Sequence, residues 1–485
     1  MSRKISFVMV AIALISWSVY SQDTKAALEK ASQNLGGADL KSIQFSGTGF
    51  IYAVGQSPNP SAPWPKFNAK TYTRVINYET VSSREDLIRT QGENPPRGGG
   101  QQPLAGEQRQ ILLVSGEHAW NLAGNNASAT PAAFAERLMN IWMTPHGLIK
   151  AALANKATVK SQSVGGKKMT VISFLVQNKY KLNGFINDQN LVERAETWVP
   201  NPVLGDMHYE TIYSEYRDTG GLKFPGKIIQ KQGGFTSLDL TVTEVLPNAA
   251  ADISVPDSAR QPVPVQVETT KLADGVWYMT GGSHHSAVVE FKDHIAVIEG
   301  PLNEERSLAI IAEVKKLVPN KPIRYLINTH HHFDHSGGIR TFAAEGATII
   351  THQINRPYYE KTFRVSRSLA PDRLAQEKKP SKIETITDRR VLTDGTRTME
   401  LHHIAGNTHN EGIIMAYLPK EKILIEADVF TPPAPNAPPP ATPNPFSVNL
   451  YENIQRLKLS VEQIAPLHGR LVTQADLQKA IGRAQ

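Results

Sequence analysis

The chain runs to 485 residues, of which 40% are hydrophobic and 20% charged. A single core stops growing near roughly 250–300 residues, so two domains are expected, and the proportions exclude collagen, coiled coil and wholesale disorder. The net charge of +7 is spread thinly, with no Lys/Arg run of the kind that binds nucleic acid, and the absence of cysteine excludes disulfides, thiolate ligands and cysteine nucleophiles.

The first predicted element is an export signal. Arg3 and Lys4 precede an apolar run from Ile5 to Ile15, and Val19 and Ser21 are the small residues expected ahead of a cut before Gln22. The run is shorter than the roughly 20 residues of a membrane span. Residues 1–21 are therefore expected to be removed, leaving a periplasmic or secreted chain with no stable membrane anchor.

Thr24 to Asn34 has the pattern of a short amphipathic helix ended by Gly36-Gly37. Glu93 to Gln108, with Pro95-Pro96 and Gly98-Gly99-Gly100, offers little to a core and is predicted to be a flexible loop. Helices are predicted near Ala132–Ile141 and Leu148–Leu153, with Pro145 between them. Six β-rich runs follow, Met169–Val176, Tyr180–Ile186, Leu191–Val199, Met207–Tyr216, Leu222–Gln230 and Phe235–Leu246, broken by Asn, Asp and Gly turns. Successive antiparallel hairpins are the economical reading. Residues 22–250 thus form a β-rich antiparallel-sheet domain with a few helices and no catalytic constellation. His146 and His208 stand alone there as structural or surface residues. Residues 251–265, with Pro256, Pro262 and Pro264, are the linker.

Over residues 266–485 strand and helix alternate, the mark of an α/β domain. Strands are predicted at Val276–Met279, Ala287–Phe291, Ile295–Ile298, Ile323–Ile327, Ala347–Ile350, Thr398–His402, Ile413–Leu418 and Ile423–Ile425. Helices are predicted near Leu450–Leu457 and Ala475–Ala484, and at Glu304–Leu317, where Leu308, Ile311, Val314 and Leu317 form an apolar stripe.

The strand Ile323–Ile327 runs into Thr329-His330-His331-His332-Phe333-Asp334-His335-Ser336. Histidine is only 15 of 485 residues, so chance is a poor account of this cluster. On an extended backbone residues i and i+2 point the same way, so His330 and His332 can grip one cation while His331 faces away. Asp334 and His335 can swing to a second position as the chain turns into a helix near Ser336. His409, Asp428 and His468 supply further donors. The last two follow strand-like runs, where α/β folds gather their site residues.

On these residues the segment Asp274–His468 resembles the metallo-β-lactamase superfamily. The resemblance implies a four-layer αββα sandwich with a dinuclear centre. His330, His332 and His409 would hold one metal, Asp334, His335 and His468 the other, and Asp428 would bridge them. The absence of cysteine departs from the cysteine-using β-lactamases. The bridging aspartate is similar to lactonases, glyoxalase-type thioesterases and phosphodiesterase members. Glu299 replaces the usual aspartate after its strand and is expected to orient a ligand histidine from behind.

Nitrogen and oxygen donors without sulfur suit two zinc ions, with iron or manganese also able to fit. Two such cations lower the pKa of a shared water from 15.7 toward ~7. The expected activity is that of an exported dinuclear zinc hydrolase whose metal-bridging hydroxide cleaves an ester, lactone, thioester or amide, with Asp334 accepting or relaying the proton. A β-lactamase in the strict sense, a phosphodiesterase and a metal-dependent binding protein are the alternatives. The expected partner is a small-molecule substrate and not nucleic acid. His284 and His285, in the loop Gly281–Ser286, and Tyr358 are its candidate contacts, and the Pro-dense stretch Thr431–Pro445 is a candidate rim.

Overall fold

The computed structural model describes residues 24–261, 264–435, 437–438 and 440–483, so the predicted export signal lies outside the described residues. Among these, no helix is long and apolar enough to cross a membrane.

The first half of the chain is one antiparallel sheet of 13 strands. Six strands between Ser42 and Ala129 run outward in order to one edge, and seven between Thr158 and Pro247 run to the other. The first strand, Ser42–Tyr52, pairs with the last, Phe235–Pro247, which makes the sheet continuous. The predicted meander is present strand for strand, from Lys167–Val176 and Tyr180–Ile186 through to Phe235–Pro247. Alternation along Gly205–Thr219, where every second residue from Gly205 to Tyr213 is buried, shows that one face meets a core. Three helices supply the other side of that core. They are residues 24–35, Phe134–Trp142 and Pro145–Ala154, contributing Leu28, Leu35, Leu138, Met139, Leu148 and Ile149. Pro145 does not merely separate two helices. It opens the second at the position where a missing N–H costs nothing, and Thr144 caps it by accepting from Gly147 N.

The segment expected to be a plain linker is packed. A helical turn, Asp257–Arg260, buries Ala259 against Ile111, Leu113 and Trp120.

The second half has two sheets face to face. One has seven strands, from Glu268–Ala273 to Lys382–Ile386, and the other six, from Arg389–Thr393 to Val472–Thr473. Val276, Val289, Ile298 and Ile327 of the first pack against Met399, Leu401, Ala416 and Ile425 of the second. Helices Glu304–Leu317 and Ile339–Glu345 cover one outer face, and Pro445–Leu457 and Gln474–Ala480 the other. Covered on both faces, central strands such as Ile295–Ile298 and Ile414–Leu418 are buried at every residue, which is why their sequences are unbroken apolar runs. This is the αββα sandwich. The helix Glu304–Leu317 has the predicted bounds but a rotated stripe. Ile310, Ile311 and Val314 are buried while Leu308 is 40% exposed, because Arg306 and Ser307 turn inward ahead of it. The helix expected near Ser336 is present in two short pieces, one helical turn at Phe333–Ser336 and a second helix at Ile339–Glu345.

The two halves meet along two seams. At one, Arg367 donates to the carbonyls of Asn201, Pro202 and Val203, and Asp206 accepts from Ser366, Ser368 and Leu369. At the other, loops 53–65 and 92–103 of the large sheet lie on the histidine loop. Gly55 O accepts from Phe333 N at 3.2 Å, and Gly98 N donates to Thr408 O at 2.9 Å.

Candidate metal centre

Strand Ile323–Ile327 lies in parallel between Ile295–Ile298 and Thr348–His352, and the chain leaves it at Asn328. The Asn328 side chain shapes the turn that follows. Its amide donates to His330 O at 2.7 Å and to Glu299 Oε1 at 3.2 Å, and its carbonyl accepts from Tyr359 and Thr351. Glu299 follows its own strand with φ +76°, and Asp428 follows Ile423–Glu426 with φ +64°. Side chains rarely sit in this left-handed region, at a cost of order 1–3 kcal/mol each, and such positions concentrate at functional sites. Asp428 and His468 follow neighbouring parallel strands, Ile423–Glu426 and Gln463–Pro466, and so emerge side by side.

All seven predicted ligands come together. His330, His332, His409 and Asp428 form one group, and His284, Asp334, His335 and His468 another, each with its ligand atoms within 4.8 Å of one another. Asp428 stands between the groups. Its Oδ2 lies 3.0 Å from His409 Nε2 and 3.5 Å from His330 Nε2. Its Oδ1 lies 2.7 Å from His468 Nε2 and 2.9 Å from His335 Nε2. One carboxylate thus addresses both groups with separate oxygens.

The far nitrogens of these rings settle which atoms face inward. His332 Nε2 donates to Ser57 O at 2.9 Å, His335 Nδ1 pairs with Glu299 Oε2 at 3.0 Å, and His468 Nδ1 pairs with Ser283 O at 3.2 Å. Backbone and carboxylate oxygens only accept, so each of these nitrogens carries the proton and the opposite one is a donor for a cation. His330 Nδ1 similarly meets Thr329 Oγ1, whose hydroxyl also bonds Glu299. The inward atoms His330 Nε2, His332 Nδ1 and His409 Nε2 are buried without a well-formed hydrogen bond and converge on one oxygen, Asp428 Oδ2, at 3.5, 4.0 and 3.0 Å. Buried polar atoms are rarely left so. The donor set, neutral imidazoles with carboxylates, fits divalent cations of the zinc kind.

The electrostatics agree. Burial holds His330 well below and His409 below the ordinary imidazole pKa, so both stay neutral and available as ligands. Burial also works against charge on His335, but Asp428, Asp334 and Glu299 outweigh it and hold that ring well above its usual value. Asp334 and Asp428 are held far below the usual carboxylate range despite burial, chiefly by His335. The pair of carboxylates demands positive charge at this point, and a cation bound there would displace the His335 proton.

Of the remaining predicted residues, His284 joins the second group, with Nε2 3.1 Å from Asp334 Oδ2. His285 does not face the site. Its ring is tied to the Tyr278 hydroxyl and to Gly282 O, and its backbone to Leu467 O. Neighbours in an extended segment point to opposite sides, so only one of the two histidines can look inward. Tyr358 is not a site residue either: its ring packs edge-on against His331 and beside Tyr359, with its hydroxyl buried in the core. His331 turns away from the ligand atoms, as its spacing demands, and bonds Ser57 Oγ and Asn410. Glu299 sits behind His335 as predicted. Pro433, Pro438 and Pro440 of the Pro-dense stretch border a small cleft with Arg470 and Lys479, while Asn436 and Pro439 lie outside the described residues. Residues that the sequence did not single out are Gln56, Ser57, Asn328 and Thr329. The first two come from the other domain.

A curated relative, the 2,4-dinitroanisole O-demethylase subunit alpha of Nocardioides sp. (strain JS1661), is 26% identical over 178 residues. The match covers 35% of this chain and 49% of the relative, so the chain spans about half the length of that protein. Among solved structures, a metallo-beta-lactamase from Pontibacter korlensis is similar at TM-score 0.35 and 18% identity, over 45% of this chain and 98% of that one. The rubredoxin oxygen:oxidoreductase of the anaerobe Desulfovibrio gigas is similar at TM-score 0.35 and 16% identity, over 44% and 61% respectively. The model of the metallo-beta-lactamase superfamily matches residues 260–461, which build most of the sandwich and carry six of the seven predicted ligands, and the C-terminal half of the chain is a domain of that superfamily.

Proposed function

We propose that this protein is a hydrolase that holds two divalent cations, zinc foremost, and cleaves an ester, lactone, thioester or amide in a small-molecule substrate. The observation that supports this most is the pair of four-residue groups with Asp428 between them, and three buried imidazole nitrogens of the first group converging on one Asp428 oxygen. Bound there, the cations would polarise the scissile carbonyl and make water nucleophilic at neutral pH. His330, His332, His409 and Asp428 would hold one, and Asp334, His335, His468, His284 and Asp428 the other.

The side chains themselves set the direction of approach. His330 and His332 are fully buried, while Asp334 is 29% and His468 20% exposed. Substrate therefore meets the second group first. Asp334, the more exposed of the two carboxylates, is the group at that mouth that would relay a proton released during attack toward solvent. The export pattern of the first 21 residues supports work in the periplasm or outside the cell.

The test combines metal analysis of purified protein with a panel of chromogenic esters, lactones, thioesters, amides, β-lactams and phosphodiesters. To these is added 2,4-dinitroanisole, after the name of the curated relative. Replacing His330 by Ala is expected to lower metal content and to cut turnover of any accepted substrate by at least about 100-fold. Full activity in metal-free protein would overturn the reading. Metal-dependent ligand capture without product would favour a binding protein instead.

A further inference from the structure

The first domain reaches into the metal centre of the second, and it does so with a side chain of defined polarity. Gln56 Nε2 donates to Asp334 Oδ1 at 2.7 Å, a contact between residues 278 positions apart. The amide cannot be turned the other way. Its Oε1 accepts from Gly100 N at 3.1 Å, which leaves the NH2 end facing the carboxylate. The loop carrying Gln56 is itself fixed: Gly99 N donates to Gln56 O at 2.9 Å, and Ser57 O accepts from His332 Nε2. A methyl group on Gly99 would lie 1.9 Å from Gln56 Oε1, so the two loops interlock with no room to spare.

We infer that Gln56 is a positioning residue of the second cation site and that the N-terminal sheet domain completes the metal centre. The inference rests on the proposed two-cation reading. A carboxylate can offer a cation one oxygen or two. With Oδ1 held by Gln56, Asp334 presents Oδ2 to the space shared by His284, His335 and His468. Removing the amide frees the carboxylate to rotate and leaves Oδ1 without its donor. Loss of such an outer partner typically weakens metal binding 10–100-fold. The first group does not touch Gln56, so the effect is confined to one cation of the two.

The experiment uses the full chain loaded with zinc and dialysed against a graded series of chelator, with bound metal counted by mass spectrometry. The Co(II)-substituted protein is followed by its visible spectrum. Gln56→Leu removes the donor at similar bulk. Gln56→Glu keeps the shape and the bond from Gly100 N but removes the NH2 donor, so it tests the same contact should the first variant fold poorly. In both, one cation is expected to leave at a 10–100-fold lower chelator concentration while the other is retained as in wild type. Wild-type retention of both cations in the two variants overturns the inference, as does parallel loss of both. A wild-type chain that binds no cation would instead overturn the function reading beneath it.

Discussion

His284 and His285 are adjacent, identical in chemistry and different in fate. The inward ring of His284 lies 4.2 Å, centroid to centroid, from that of His468, whereas His285 is folded back onto Tyr278. His284→Ala is accordingly expected to lower the affinity of the second cation site by about 10-fold or more, with a matching fall in kcat/KM. His285→Ala should leave metal content unchanged and cost about 1–2 kcal/mol of stability, through the lost bonds to Tyr278 and Gly282. Metal titration and urea unfolding of both variants separate the roles, and equal metal retention would refute the assignment of His284. The seven candidate ligands were readable in the sequence because the His-x-His-x-Asp-His cluster is a local pattern and the family resemblance pointed to the three later residues. The choice between His284 and His285 was not, since alternation gives opposite directions without saying which is inward.

His146 shows how an element carries a pH response far from the site. It opens the helix Pro145–Ala154, stacks on Phe224 and pairs through Nε2 with Leu35 O, the last residue of the 24–35 helix. Burial pushes the imidazole down to about 4, against the Leu35 carbonyl that favours its protonated form. An unfolded chain takes up this proton near pH 6.5, the folded one only near 4, so stability falls as pH drops between those values and levels below. Between pH 7 and 4.5 the contribution lost is about 2–3 kcal/mol. His146→Gln, measured by urea unfolding at the two pH values, should lose that much less than wild type, the other buried histidines being common to both proteins. An identical acid loss would show that His146 does not titrate as described. At this scale the sequence marked six of the seven strands in the second half of the large sheet to within about three residues, and left Thr158–Val164 unread. The first half was hidden, because strands Lys66–Asn77 and Ser82–Gln91 turn Arg74, Glu85 and Arg89 inward, which breaks the apolar alternation that betrays a strand.

Across the whole molecule, the two domains are held as one body by both seams. Arg367 is buried and donates to three successive carbonyls at the turn Asn201–Val203. Arg367→Ala should cost about 2–4 kcal/mol by leaving buried acceptors unpaired. Wild-type protein is expected to unfold in one calorimetric transition, and the variant in two as the domains uncouple. One unsplit transition at the wild-type temperature would show the seam to be incidental. The sequence by itself determined the histidine cluster, the alternation of the second domain and the meander of the first, because each is written in short-range spacing of residue types. Only the tertiary structure decided that a loop read as flexible is docked on the histidines, that Gln56 and Ser57 belong to the centre, and that one of two neighbouring histidines joins it. Those outcomes depend on surfaces meeting across some 280 residues of chain, and no local periodicity records which surfaces will meet.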